Sequence, residues 1–346
     1  MNRKKIYFIR EKSTKFGGAE VYLSRLSNAL ENKNIKHEII YSKTPIFLPS
    51  WLRIIIFNLR LIIAKRNRFY FSLERIICPD VYRAGDGVHK KFLEIEKKSK
   101  LNPLHPLYLY LEKRCFNNAK KIIANSEMVK KEIVSLYQIN PEKIRVVYSG
   151  IELKESDYET SFNKLLDEFG FNKNSSIILF VGSGYKRKGV HEFLKIIASL
   201  KSKEVIAFII GKEKKIALYK NIAKELGIES KVIFTGARND VDDFYTASDI
   251  FLFPTHYEPF GNVILEAMNK KNVIFTTMQN GASEILDREF LMQSPSDYSV
   301  VNKIDILLKN PNEMKLVQEK NFRNSKKFSI EKNLEQTLGV IDEVIN

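Results

Sequence analysis

The chain of 346 residues has only two cysteines, Cys78 and Cys115, and a single tryptophan, Trp51. The cysteines show neither metal nor redox spacing, so they read as buried thiols in a reducing compartment. The five histidines are dispersed and show no metal-ligand spacing. No stretch is long and apolar enough to span a bilayer. Residues 51–64 come nearest, but Arg53, Asn58 and Arg60 interrupt them, and an amphipathic helix is expected there. Met1-Asn-Arg-Lys-Lys5 is basic, yet the apolar run after it stops at Arg10-Glu11 with no small-residue cleavage site, so no secretory signal is expected. The dinucleotide fingerprint G-x-G-x-x-G is missing too, which counts against an oxidoreductase.

Acidic residues are scarce in one half only. Residues 1–150 hold 30 Lys+Arg and 13 Asp+Glu, whereas residues 151–346 hold 27 and 28. Essentially all of the net charge of +16 therefore sits in the first half. That half is expected to face an anion: nucleic acid, an acidic membrane surface or a phosphorylated acceptor. No nucleic-acid recognition motif or aromatic strand platform accompanies the charge, so no nucleic-acid partner is expected.

The length suits two domains. Lys5-Ile-Tyr-Phe-Ile9, a glycine-bearing loop at residues 13–20, helical spacing over residues 21–30 and His37-Glu-Ile-Ile-Tyr41 form a βαβ opening. Short apolar runs follow at residues 69–73, 121–124 and 144–147. Ser149-Gly150 is a candidate hinge. A second series starts at Ile177-Ile-Leu-Phe-Val-Gly182 and continues at residues 206–211, 232–236, 250–253 and 273–277. The fold class is therefore α/β, with two doubly wound domains, residues 1–150 and 151–329, facing across a cleft. A terminal helix over residues 330–346 is expected to pack back on the first domain.

Glu258-Pro-Phe-Gly-Asn-Val-Ile-Leu-Glu266 follows an apolar strand and opens a helix. That position is the carboxyl edge of a parallel sheet, where open α/β sheets bind ligands. A helix N-terminus suits a phosphate, and ionised carboxylates on either side accept hydrogen bonds from vicinal hydroxyls. A nucleotide-sugar has that layout, although an acidic first turn is also favoured by the helix dipole alone. Arg187 and Lys188, in Val181-Gly-Ser-Gly-Tyr-Lys-Arg-Lys-Gly-Val190, belong to a loop on the same edge. They could bind a diphosphate and stabilise a leaving group, or be a solvated basic turn. Arg238 could stack on a base or reach phosphate, while Asn239-Asp240 beside it could simply cap a helix. Gly281 and Glu284 lie in Asn280-Gly-Ala-Ser-Glu284, which also suits a helix start capped by a serine. Gly17-Gly18 permits close backbone approach to a ligand. Asp86, flanked by glycines, is equally compatible with a turn.

Together these motifs resemble the family 4 retaining glycosyltransferases of GT-B architecture, over nearly the whole chain and most strongly over residues 177–284. Within that family the chain is similar to the branch that adds glucose to a heptose of the lipopolysaccharide inner core. The resemblance implies catalytic roles for Glu258, Arg187, Lys188 and Asp86. It implies substrate-binding roles for Gly17, Gly18, Ser183, Arg238, Phe260, Gly261, Asn262, Glu266, Gly281 and Glu284. It further implies a nucleotide-sugar donor, UDP-glucose, a lipid-linked glycan acceptor, no metal and no other cofactor. Three departures stand out. Ser183 replaces an arginine common in the family, Lys271 and Val273 replace its Gly-x-Pro, and Phe260 replaces a small residue of the inner-core branch.

Residues 89–121 mix lysines with Phe92, Leu93, Leu107, Tyr108, Leu109, Tyr110 and Phe116, which suits either a peripheral helix on anionic lipid or a connection with a core-facing side. The implied location is cytoplasmic, on the inner face of the membrane. The rival expectations are another donor sugar or acceptor, including a capsule glycan, and a sugar-nucleotide epimerase of the same architecture.

Overall fold

The computed structural model describes residues 5–11, 18–96, 102 and 104–345, with backbone alone at residues 18, 19 and 21. The chain divides into two compact units, residues 1–152 with 330–346, and residues 153–329.

In the first unit the strands are β1 (Ile6–Arg10), β2 (His37–Tyr41), β3 (Phe69–Ser72), β4 (Val81–Ala84), β5 (Lys121–Ala124) and β6 (Ile144–Val146). They form one parallel sheet in the order β2-β1-β3-β4-β5-β6. The central strands β3 and β4 are buried at every residue, while β2 at the edge is only half-buried. This is why β3 reads as a nearly continuous apolar run rather than an alternating one, whereas β4 carries the buried Arg83. The terminal helix Ile330–Ile345 lays Leu334, Leu338 and Ile341 against Leu23, Leu26 and Leu30 of the helix Gly18–Asn32. Each such side chain contributes roughly 1.5–3 kcal/mol through burial. Hydrogen bonds from Ile330 N to Ile151 O (3.0 Å) and from Asn333 Nδ2 to Tyr148 O (2.6 Å) anchor its start. Ser149, in the candidate hinge, is buried and accepts a hydrogen bond from Arg83 at 3.1 Å.

In the second unit the strands are β7 (Ser176–Val181), β8 (Val205–Ile210), β9 (Val232–Gly236), β10 (Ile250–Phe253), β11 (Val273–Thr277) and the two-residue β12 (Leu291–Met292). The order is β12-β11-β10-β7-β8-β9, again parallel. The chain runs outward from β7 to β9, then returns to lay β10 on the other side of β7. That reversal leaves a crevice outside the carboxyl ends of β7 and β10. β12 is too short to register as an apolar run.

Candidate functional site

Two loops meet at this crevice. After β7, Gly182-Ser-Gly leads into the short helix Tyr185–Lys188, which ends at Gly189. After β10, Pro254 to Gly261 leads into the helix Asn262–Asn269. Gly189 has φ +79°, and a Cβ there would lie 1.8 Å from the Pro254 carbonyl oxygen. Only glycine lets the two loops approach this closely. His256 N donates to the Arg187 carbonyl at 2.9 Å, and Thr255 Oγ1 to the same oxygen at 3.2 Å.

The side chains then converge. Arg187 donates to the Tyr257 carbonyl (2.7 Å) and to Glu258 Oε2 (3.0 Å), and Lys188 Nζ donates to the same Oε2. Lys188 also lies 5.0 Å from the Phe253 ring centroid. Neither cation engages Oε1. Burial opposes the charge on Glu258, but the attraction of Lys188 and Arg187 outweighs it and holds the carboxyl below its ordinary range. Burial, joined by repulsion from Arg187, holds the Lys188 ammonium below its ordinary value despite Glu258. Two cations against one carboxylate give the cluster a surplus positive charge.

The loop after β11 completes the edge. Glu258 N donates to Gln279 O (3.0 Å) and Gly281 N to Glu258 O (2.8 Å), so Gly281 stands directly against the cluster. Phe260 O accepts from Ala282 N at 3.1 Å, while the Phe260 ring is buried. Asn280 caps the turn Gly281–Ile285 by accepting from Ala282 N, so the cap is Asn280 and not the expected serine. Asn280 and Thr276 are joined at 3.1 Å, and Thr276 is held by the Phe253 carbonyl at 2.8 Å. Gly261 has φ +77°, and Asn262 opens the following helix. Glu266 lies on that helix and accepts from Tyr245 OH at 3.3 Å. Glu284 is exposed. Ser183, exposed beside Gly182, accepts from Lys212 N at 3.0 Å and ties the first loop to the end of β8.

Arg238 stands apart, after β9 at the sheet's edge. Its guanidinium is held by Glu168 (2.5 and 2.8 Å) and Asp240 (2.8 Å twice), and it packs on Phe244 at 5.3 Å. Its donors are committed to carboxylates. Asp240 caps no helix with its side chain, because Arg238 and Lys164 take its oxygens. The capping expectation is thereby corrected.

In the first unit Gly17 lies outside the described residues, and Gly18 begins a helix. Asp86 follows β4, within electrostatic reach of Arg10 and Glu74. Arg10 donates to Glu74 (2.7 Å) and Glu20 (2.9 Å). Fully buried Glu112 accepts from Arg75 (2.8 Å), His89 N (2.7 Å), Lys90 N (3.2 Å) and Tyr137 OH (2.5 Å). Nothing local in the sequence marks Glu112, since its partners are 22 to 37 residues away. The pair of Glu192 and His256 (3.3 Å), beside Arg187, was equally invisible for the same reason. Among the described residues no group of three His, Cys, Asp or Glu could hold a metal ion.

The family model for Glycosyl transferases group 1 matches residues 161–325, the part that carries this cluster. The model for Glycosyltransferase Family 4 matches residues 87–155, and the two together cover more than half of the chain. Glycosyltransferase models thus match parts of both units. Lipopolysaccharide glucosyltransferase WaaG of Escherichia coli is 28% identical over 208 residues, which is 57% of this chain and 55% of that protein. The chain thus spans about half the length of the curated relatives it matches. In fold it is similar to the crystal structure of WaaG (TM-score 0.81, 20% identity, 97% of this chain and 99% of that one). It is also similar to the Anabaena protein HepE in complex with UDP and glucose (TM-score 0.75, 19% identity, 99% and 100%). The likeness to both is thus one of fold, at 20% identity or less.

Proposed function

We propose that the protein is a retaining glycosyltransferase of family 4 that moves glucose from UDP-glucose to a heptose of a lipopolysaccharide inner core. The observation that carries this reading is the convergence of Arg187 and Lys188 on Glu258 at the crevice between β7 and β10. The surplus positive charge suits a diphosphate, whose arrival would favour the charged form of Lys188. The Glu258 Oε1 not engaged by either cation suits sugar hydroxyls, and Glu266 suits the ribose. The similarity to WaaG and the UDP and glucose held by HepE support donor and acceptor class.

In the reaction, the bond between the sugar's anomeric carbon and the diphosphate oxygen breaks. The acceptor oxygen bonds to that carbon on the same face, and its proton passes to the leaving phosphate oxygen. Arg187 and Lys188 stabilise the departing charge, with no metal required. Gly18 approaches the diphosphate or the transferred sugar, Asp86 faces the acceptor or the transferred sugar, and the acceptor is a lipid-linked glycan. The enzyme works at the cytoplasmic face of the inner membrane.

The test is transfer of label from a panel of nucleotide-sugars to lipopolysaccharide lacking its outer sugars, with chelator present. Transfer from UDP-glucose that is lost in Glu258→Ala and Lys188→Ala is the expected result. Transfer from another donor overturns the sugar, and loss of activity with chelator overturns the metal-free step.

A further inference from the structure

The helix Ser50–Ala64 is apolar on both sides. Its inner side, with Ile54, Phe57 and Leu61, is buried, and Phe57 and Leu61 pack with Ile9, Tyr70 and Ile76. At about 3.6 residues per turn, the opposite side carries Leu52, Ile55, Ile56, Leu59 and Ile63. A surface helix normally places polar residues there. Instead Leu59 is 53% exposed and Ile63 77%. The preceding loop adds Ile46 at 87% and Phe47 at 85%.

Charge identifies what covers this face. Lys43, Arg53, Arg60, Lys65, Arg66 and Arg68 surround it, and no Asp or Glu occurs from residue 43 to residue 73. Lys65 is paired with Asp80 and Arg53 with Glu11, while Lys43, Arg60, Arg66 and Arg68 are exposed. A second copy of the chain docked by the same patch would set these cations against their own kind. An anionic bilayer accepts both features: apolar side chains enter the headgroup and acyl boundary, and cations meet lipid phosphates.

We infer that the helix Ser50–Ala64, with Ile46 and Phe47, is the element by which this protein sits on an anionic membrane. The inference rests on the membrane reading above and gives that reading a different surface. In residues 89–121 the only large apolar side chain strongly exposed among the described residues is Tyr110, at 51%. Phe116, expected there as an interfacial aromatic, is core: it is fully buried between Tyr82 and Tyr137.

The experiment is co-sedimentation of the full chain at low salt with vesicles of phosphatidylcholine, with and without phosphatidylglycerol. UDP binding by calorimetry reports the donor site and folding of each variant. Phe47→Ser combined with Ile63→Ser should weaken binding at least about tenfold. Arg60→Glu combined with Arg66→Glu should weaken binding to anionic vesicles alone, by about tenfold or more. Tyr110→Ser combined with Lys113→Glu should bind as wild type does. If the serine variant binds like wild type, or the Tyr110 variant is the one released, the helix assignment is overturned and membrane binding survives. If the wild-type chain binds no vesicle, the membrane reading itself fails. A dimer abolished by the serine variant would assign the face to a second copy and overturn the inference.

Discussion

At the crevice of the second unit, two cations, Arg187 and Lys188, converge on one carboxylate, Glu258. At the corresponding place in the first unit, where β3 returns beside β1, one guanidinium, Arg10, is held by two carboxylates, Glu20 and Glu74. Glu11 pairs with Arg53 nearby at 3.6 Å. In these clusters acid outnumbers base in the first unit and base outnumbers acid in the second. The bulk charge runs the other way, because nearly all the positive excess lies in residues 1–150. Local charge at a sheet's edge is thus set by which loops meet there. The first half's surplus of cations lies elsewhere, including the rim of the helix Ser50–Ala64. A cationic edge suits a diphosphate, and a carboxylate-rich edge suits hydroxyls.

The largest expected effect breaks the cationic edge. Lys188→Ala should lower kcat by about 10²–10³-fold, as loss of a donor to developing charge does elsewhere, whereas Glu74→Gln should leave UDP affinity unchanged. Steady-state kinetics and calorimetry on the pair measure the contrast.

Glu112→Ala should cost about 3–5 kcal/mol of stability, because it strands Arg75 in the interior of the first unit. Denaturant unfolding would show it. Retained UDP affinity in the surviving folded fraction would show the units to be energetically separate at this point.

Asp249, at the opposite end of β10 from the crevice, is half-buried and accepts from Ile177 N at 2.8 Å. Burial raises its pKa from 3.8 to about 6. Folding therefore favours its protonated form, so its contribution is complete below pH 3.8 and is lost as pH rises through about 6. Asp249→Asn keeps an acceptor without the charge, and should gain about 3 kcal/mol at pH 7 and almost nothing at pH 3.5. Thermal melts at the two pH values check the sign.

The smallest effect sharpens the other side. Burial raises the pKa of Glu74 although Arg10 and Glu11 N oppose it. Glu74→Gln should raise the acceptor KM about three- to tenfold with kcat little changed, as expected for one lost hydrogen bond. An unchanged acceptor KM would detach Glu74 from the acceptor.

The βα order was legible from apolar runs except at β4, where Arg83 breaks the run, and at the two-residue β12, because a strand buried on both faces in a parallel sheet is mostly apolar. The runs at residues 232–236, 250–253 and 273–277 coincide with β9, β10 and β11. So was the Glu258 motif, since strand, loop and helix N-terminus are adjacent in sequence. The commitment of Arg238 to Glu168 was hidden, for its partner lies 70 residues away. The same holds for Phe116, whose burial depends on Tyr82 and Tyr137. Sequence by itself determined the two sheets and which loops end at their carboxyl edges, because hydrophobic period and turn chemistry are local. Only the tertiary structure decided which charges meet, which are spent on internal pairs and which apolar side of the helix Ser50–Ala64 stays uncovered. Those outcomes depend on strand order, which brings together residues that no local pattern relates.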